Sequence, residues 1–204
     1  MVDEIISIRR YGDRAALVDC APSEVLGISH ALRNSQLFVE VVPSECSVLV
    51  TWNAPISHEA ILEIARTGSE LKIIGESRDV EIPIIYDGLD LAECANALSM
   101  TMAELIQVHS QTTYTAAFAG FAPGFLYLTG VDSRLHLPRR SAPRTKVPQG
   151  SLAMADIYTA VYPLDSPGGW NLLGRTTLTM FDAFREPASI LQPGDSVTFV
   201  QVFE

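Results

Sequence analysis

The stretch Ser166-Pro167-Gly168-Gly169-Trp170-Asn171-Leu172-Leu173-Gly174-Arg175-Thr176, followed by Thr177-Leu178-Thr179, decides what fold the second half of the chain can form. Read mechanically, Gly169 to Thr176 is a G-x-x-x-x-G-[K/R]-T string, a near miss to a phosphate-binding P-loop. A P-loop needs Lys where Arg175 stands, small residues in place of Trp170 and Leu172-Leu173, and a helix directly after it. Here a β-like run, 176–181, follows instead. The same texture extends outward on both sides. From Thr112 onwards helical periodicity nearly vanishes. Short β runs at 112–119, 151–154, 158–163 and 196–203 are broken by Pro and Gly, and eight of the twelve prolines lie in 123–193. This pattern predicts a closed, irregular β-barrel.

Upstream the pattern differs. Residues 5–10 and 14–20 read as strands joined by Tyr11-Gly12-Asp13, a tight-turn signal. Pro22-Ser23-Glu24 opens a helix to about Ser35, with Val25, Ile28 and Leu32 on one face. Extended runs at 37–42 and 46–52 follow. Ser57 then caps a second helix that buries Ile61, Leu62, Ile64 and Ala65. The order ββαββα predicts a small ferredoxin-like α+β sandwich. Around Gly75-Glu76-Ser77-Arg78 the character changes, so the chain is divided into residues 1–78 and 79–204. Asp79 to Tyr86 reads as a strand, with Pro83 placing it at an edge or a strand end. Asp90-x-x-Glu93 and Thr101-x-x-Glu104 both look like capping boxes that start helices.

Composition narrows the function. The chain has 204 residues, 48% of them hydrophobic and 19% charged, with a formal charge of −10. That excludes disorder, and it disfavours a generic nucleic-acid surface, because an acidic chain repels phosphate backbones. The apolar share is high for an acidic protein, which predicts surface covered by a partner chain. Cys20, Cys46 and Cys94 are odd in number and far apart, and read as three reduced, mostly buried thiols. No apolar run approaches a membrane span. The acidic start, Met1-Val2-Asp3-Glu4, is unlike a signal peptide, so a cytoplasmic protein is expected. His30, His58, His109 and His136 show no ligand spacing, so no metal site is expected.

The charges are unevenly placed. Residues 79–204 carry 7 basic and 13 acidic side chains, yet five of those seven cations, Arg134, Arg139, Arg140, Arg144 and Lys146, fall within thirteen positions. Asp132 is the only acid between Gly120 and Ala155. Pro138, Pro143 and Pro148 stiffen this segment, which reads as a loop. Arginine forks match carboxylate or phosphate oxygens in pairs. Two readings stand: a site for a small anion, or a solvated face whose cations pair with acids of this chain or a partner. The rigid turn Gly120-Phe121-Ala122-Pro123-Gly124-Phe125-Leu126-Tyr127-Leu128 either lines a ligand pocket with Phe121, Phe125 and Tyr127 or plugs one end of the barrel. Gly168-Gly169 either lets backbone amides approach a ligand, with Arg175 nearby, or forms a bulge in which Trp170 fills the barrel.

Together, Gly120–Leu128, Pro138-Arg139-x-x-x-Pro143-Arg144-x-x-Val147-Pro148-x-Gly150-Ser151 and Tyr162-Pro163-x-x-Ser166-Pro167-Gly168-Gly169-Trp170-x-x-x-Gly174-Arg175-Thr176 resemble the 5-oxoprolinase B-component family, also called allophanate hydrolase subunit 1. The family includes sporulation-kinase inhibitors, and its module forms half of the carboxyltransferase domain of urea carboxylase. Tyr11-Gly12-Asp13-Arg14-Ala15 is similar to its N-terminal motif.

The resemblance implies a cyclophilin-like barrel after the N-terminal α+β domain. It implies a heteromer with an allophanate hydrolase subunit 2-like partner, the C component, and a hydantoinase-like A component. It also implies ATP, carried with Mg, as cosubstrate for opening 5-oxoproline to glutamate. A kinase inhibitor and a carboxyltransferase half are the alternatives. By matching positions it places Arg144 and Arg175 as catalytic cations, with Arg139 and Lys146 also on phosphate or carboxylate oxygens. Gly168 and Gly169 would supply amides. Phe121, Pro123, Gly124, Phe125, Tyr127, Ser166 and Trp170 would complete the substrate and nucleotide site. The sequence departs from the family at Asp156-Ile157-Tyr158-Thr159-Ala160, where relatives usually read Gly-x-Gln-Thr-Gly, and at Leu126, where Pro is common. An acid at 156 would repel an anionic ligand, and a ring at 158 would shrink the space.

Overall fold

Apolar residues alternate along two neighbouring strands of the first unit, as a sheet with one buried face requires. Ala16 and Val18 point inward from one, and Val48 and Val50 from the other. The computed structural model describes residues 6–71 and 78–203. The chain divides into two units, Met1–Glu76 and Ser77–Glu204. The expected change of character at Gly75-Glu76-Ser77 lies outside the described residues, as does the acidic start.

The first unit runs β1 (Ser7–Arg10), β2 (Ala15–Asp19), α1 (Val25–Asn34), β3 (Glu40–Pro43), β4 (Ser47–Thr51), α2 (His58–Ser69). Its antiparallel sheet has the order β1-β2-β4-β3. Val25, Ile28 and Leu32 of α1 and Ile61 and Ala65 of α2 are buried over that face. Leu62 and Ile64 are only half-buried. Ser57 caps α2 by accepting from the Ala60 amide at 3.2 Å. The helices meet where both lack a side chain: a Cβ on Gly27 would strike the Gly68 carbonyl oxygen.

The second unit begins with β5 (Asp79–Ile84), α3 (Leu91–Ala97), α4 (Met102–Gln111), β6 (Thr113–Ala119) and β7 (Leu126–Thr129). It continues through β8 (Arg144–Val147), β9 (Ser151–Ala155), β10 (Tyr158–Val161), β11 (Ser166–Gly168), β12 (Asn171–Arg175) and β13 (Ser196–Gln201). Seven strands form one sheet in the order β12-β9-β10-β7-β6-β13-β5, and β8 and β11 form a separate ribbon. β5 is an edge strand and pairs with β13 in parallel. Its chain continues to Ile85, which exchanges both backbone hydrogen bonds with Arg175 at the far edge, at 2.9 and 2.8 Å. The sheet is thereby a nearly closed barrel.

Three local expectations are corrected. The strand expected at 176–181 lies earlier, at Asn171–Arg175; Leu172 and Leu173 are both buried, and the chain leaves the sheet after Arg175. The Pro-punctuated segment is not all loop, because Arg144–Val147 pairs with β11. That strand is confined between Pro143 and Pro148, which have no N–H to extend it. Cys94 is buried, Cys20 partly buried and Cys46 exposed, and none is in a disulfide.

One buried network ties α4 to the barrel. His109 is fully buried; the Tyr86 hydroxyl donates to its Nδ1 at 2.9 Å, and its Nε2 meets Thr159 Oγ1 at 3.1 Å. Thr159 gives its own proton to the Ala153 carbonyl, so Nε2 carries the imidazole hydrogen and Nδ1 accepts. Burial pulls the His109 pKa down to about 3. The folded imidazole stays neutral where the unfolded one takes a proton. The stabilisation is complete above the unfolded value near 6.5 and is lost as pH falls from there toward 3. Between pH 7 and 5 the second unit should lose stability with a limiting slope of about 1.4 kcal/mol per pH unit. Urea midpoints at the two pH values measure this, and His109→Gln should remove the slope.

Candidate functional site

The loop from Asp87 to Asp90 organises the cations. Gly88 N donates to Leu173 O and Asp90 N to Leu172 O, which lays the loop along β12. A side chain at Gly88 would run into the backbone of Leu172 and Leu173, so the approach depends on glycine. The Asp90 side chain is 3% exposed. Its Oδ1 accepts from Arg140 at 2.8 Å and from Arg144 at 2.6 Å, and its Oδ2 from the Leu172 amide at 2.8 Å. This corrects the expected capping box. Asp90 does precede α3, but its carboxylate is committed to two guanidiniums and a strand amide and makes no cap bond. Thr101 and Glu104 form the expected reciprocal box at α4. Three residues before Asp90, Asp87 accepts from Arg175 Nε at 2.8 Å.

The other cations also have acids. Lys146 meets Asp165 at 2.7 Å, and Arg134 meets Asp132 at 2.7 Å. The hydrogen bond to Asp165 raises the Lys146 pKa, and bonds from Arg134 hold Asp132 down at about 2. Arg139 has Asp156 at 3.7 Å. Apart from Asp132, the carboxylates that meet these cations come from outside the cationic segment, at positions 87, 90, 93, 156 and 165. Among the described residues, two buried polar atoms of the β8–β11 ribbon still lack hydrogen-bond partners: Arg144 Nη1 and Ser166 Oγ.

The aromatic turn divides in two. Phe125 is buried, with ring centroids 5.3 Å from Tyr162, 5.6 Å from Trp170 and 5.1 Å from Tyr127. Tyr127 stacks on Phe118 at 4.5 Å, and Tyr158 closes over both. These rings form a second buried cluster with Ala153, Ala160 and Leu172, on the face of β9, β10 and β12 opposite the core of Leu152, Val161 and Leu173. Phe121 meets Phe125 edge-on at 5.2 Å, yet it is 60% exposed and has φ +68°, a strained conformation for a bulky residue. Pro123 is exposed, and Gly124 packs against Phe181. A Cβ on Gly168 would strike the Tyr162 hydroxyl, while Gly169 carries the carbonyl that Arg140 N binds at 2.8 Å. Trp170 is buried, with the Arg139 guanidinium carbon 6.0 Å from its ring centroid.

The structure therefore brings Arg139, Arg144, Gly168, Gly169 and Trp170 together with the aromatic cluster. Arg175 stands at the other end of β12, in a second cleft of about 220 Å³ beside Gly88 and Gln149. Asp87, Asp90, Tyr162 and Asn171 are the residues that sequence reasoning missed. The signal available for the two acids was Asp87-Gly88-Leu89-Asp90, two carboxylates spaced around a glycine just before a helix.

Residues 6–191 match the family described as carboxyltransferase domain, subdomain C and D. The chain belongs to this family. Among its relatives, a protein of Escherichia coli O157:H7 named as the B subunit of 5-oxoprolinase is 36% identical over 202 residues, covering 93% of each chain. The crystal structure of TTHA0988 superposes with a TM-score of 0.84 at 31% identity. That match covers 94% of this chain but only 40% of the longer TTHA0988 chain. The urea carboxylase of Kluyveromyces lactis shares the fold, with a TM-score of 0.73 at 17% identity over 98% of this chain and 22% of that one.

Within this carboxyltransferase-type barrel the departures noted in the sequence have definite places. Asp156 forms the β9–β10 turn at φ +53°, exposed rather than inside a pocket. Tyr158 is buried among the rings of the aromatic cluster. A first cleft of about 240 Å³ lies between α3, β12 and residues 137–141. Cys94 lines it, its thiol pushed up to about 11, chiefly by burial, and so protonated at neutral pH. Among the described residues no group of three or more His, Cys, Asp or Glu is placed to hold a metal, and no helix is long and apolar enough to cross a membrane.

Proposed function

We propose that the chain is the B component of an ATP-dependent 5-oxoprolinase complex in the cytoplasm. There it opens 5-oxoproline to L-glutamate with an allophanate hydrolase subunit 2-like partner and a hydantoinase-like third component. The observation that carries this is the 36% identity over 93% of both chains to a protein of that name. A protein named as one subunit entails others, and TTHA0988 continues well beyond the matched part. In this reading a ferredoxin-like domain, 1–78, precedes a cyclophilin-like barrel, 79–204. The ββαββα order supports the first part and the near-closed sheet the second.

The chemistry suits the residues. A five-membered lactam is a resonance-stabilised amide. Phosphorylating its carbonyl oxygen with ATP, bound as its Mg complex, removes that resonance and creates a leaving group. The protein must hold triphosphate and lactam together and neutralise the charge that develops. Arg144 and Arg175 would be the catalytic cations, and Arg139 and Lys146 would assist on phosphate or carboxylate oxygens. Asp90 and Asp87 would hold the first two forks in fixed positions. Gly168 and Gly169 would supply amides, and Phe121, Pro123, Gly124, Phe125, Tyr127, Ser166 and Trp170 the surrounding wall. The orphan Arg144 Nη1 and Ser166 Oγ support a ligand or ordered water at this ribbon.

The test co-expresses this chain with its partners and follows ADP with 5-oxoproline present. ADP release that needs every component is expected. A rate indifferent to omitting this chain would overturn the reading. The likeness to the urea carboxylase of Kluyveromyces lactis, at 17% identity, shows the fold alone and favours no second function.

A further inference from the structure

Within the cationic segment, Arg139 is held unlike its neighbours. Arg134, Arg140, Arg144 and Lys146 each grip a carboxylate at 2.6–2.8 Å. Arg139 lies over the Trp170 ring and has its nearest carboxylate, Asp156, only at 3.7 Å, and among the described residues its guanidinium makes no hydrogen bond. Its backbone is nevertheless firmly placed. Leu137 O accepts from Asp156 N at 2.6 Å, Pro138 O from Asn171 Nδ2 at 3.0 Å, and Arg140 N donates to Gly169 O at 2.8 Å. A fixed backbone thus presents a fork with unused donors at the mouth of the first cleft, about 240 Å³ in volume.

The same cleft offers acceptors. Asn171 lines it and is 7% exposed. Its amide hydrogens go to Pro138 O and Met154 O, leaving Oδ1 as the polar atom it has to give. The Glu93 carboxylate, engaged by Arg140 at 3.0 Å, also lines the cleft. Cys94 and Ala97 supply an apolar wall. One open fork beside an acid suits a small monoanion and repels a polyphosphate.

We infer that this cleft binds a small carboxylate that bears an N–H group, with the carboxylate on Arg139 and the N–H directed to Asn171 Oδ1 or Glu93. Arg139 is then the specificity-determining cation, and Asp156 is an internal competitor for it. Asparagine tolerates a positive φ as aspartate does, so Asp156→Asn removes the competing charge without disturbing the turn.

The site stands on this geometry; the choice of 5-oxo-L-proline as probe rests on the function proposed above. Calorimetric titration of the full chain and of its complex should show binding of 5-oxo-L-proline. The methyl ester and the lactone analogue without N–H should each bind at least about tenfold more weakly, the scale of a charge-assisted or buried hydrogen bond. Arg139→Gln should weaken 5-oxo-L-proline about tenfold or more and leave the ester unchanged, whereas Asp156→Asn should strengthen it about two- to fivefold. No binding at millimolar ligand, or equal affinity in Arg139→Gln, overturns the inference. If the complex turns over 5-oxoproline and Arg139→Gln binds it normally, the cleft assignment fails and the proposed function stands. If Arg139 governs binding but the complex gives no turnover, the reverse holds.

Discussion

Asp90→Ala should cost the second unit about 3–5 kcal/mol of stability, the scale for removing one partner of a buried, hydrogen-bonded ion pair. The reason is geometric. One carboxylate, 3% exposed, serves Arg140, Arg144 and the Leu172 amide together, so its loss leaves the Arg144 guanidinium and a strand N–H without their acceptor and Arg140 with Glu93 alone. Asp90→Asn should recover part of the loss, since an amide oxygen can still take the Leu172 hydrogen but offers no charge. Asp87→Ala is the control: its pair with Arg175 has side chains 45% and 41% exposed, where solvent screens the attraction, and should cost under about 1 kcal/mol. Urea midpoints for the three variants provide the measurement. Similar losses for Asp90→Ala and Asp87→Ala would mean that burial does not set the worth of these pairs.

The same residue shows what a sequence can disclose. Thr101 and Glu104 bond each other across three positions, so their box is legible from local spacing. Asp90 has the same spacing to Glu93 and a different fate, because Arg140, Arg144 and Leu172 lie 50, 54 and 82 positions away and outcompete the local cap. A cation cluster without nearby acids looks open in sequence and closes only when the barrel brings Asp87, Asp90, Asp156 and Asp165 to it. Strand β12 was hidden for a related reason. Leu172 and Leu173 are both buried, so the alternation that marks a one-sided strand is absent. The glycine and proline punctuation, by contrast, acts locally, and the β texture after Thr112 could be read from it.

Arg175→Ala, in the co-expressed complex, should lower ATP-driven turnover of 5-oxoproline at least about 100-fold, the effect of deleting a contact that stabilises transition-state charge. This substitution reads cleanly because the Arg175–Asp87 pair is half-exposed and the chain should still fold and assemble. Arg144→Ala should produce a similar loss, with a stability cost because Asp90 gives up one of its two guanidiniums. Arg144→Lys separates the two roles. A lysine keeps the charge beside Asp90 but has no planar fork, so it should restore much of the stability and little of the turnover. Turnover restored together with stability would make Arg144 a structural clamp. Unchanged rates in both Arg144→Ala and Arg175→Ala would remove these cations from the chemistry and leave the loop at Asp87–Asp90 as a device for closing the barrel.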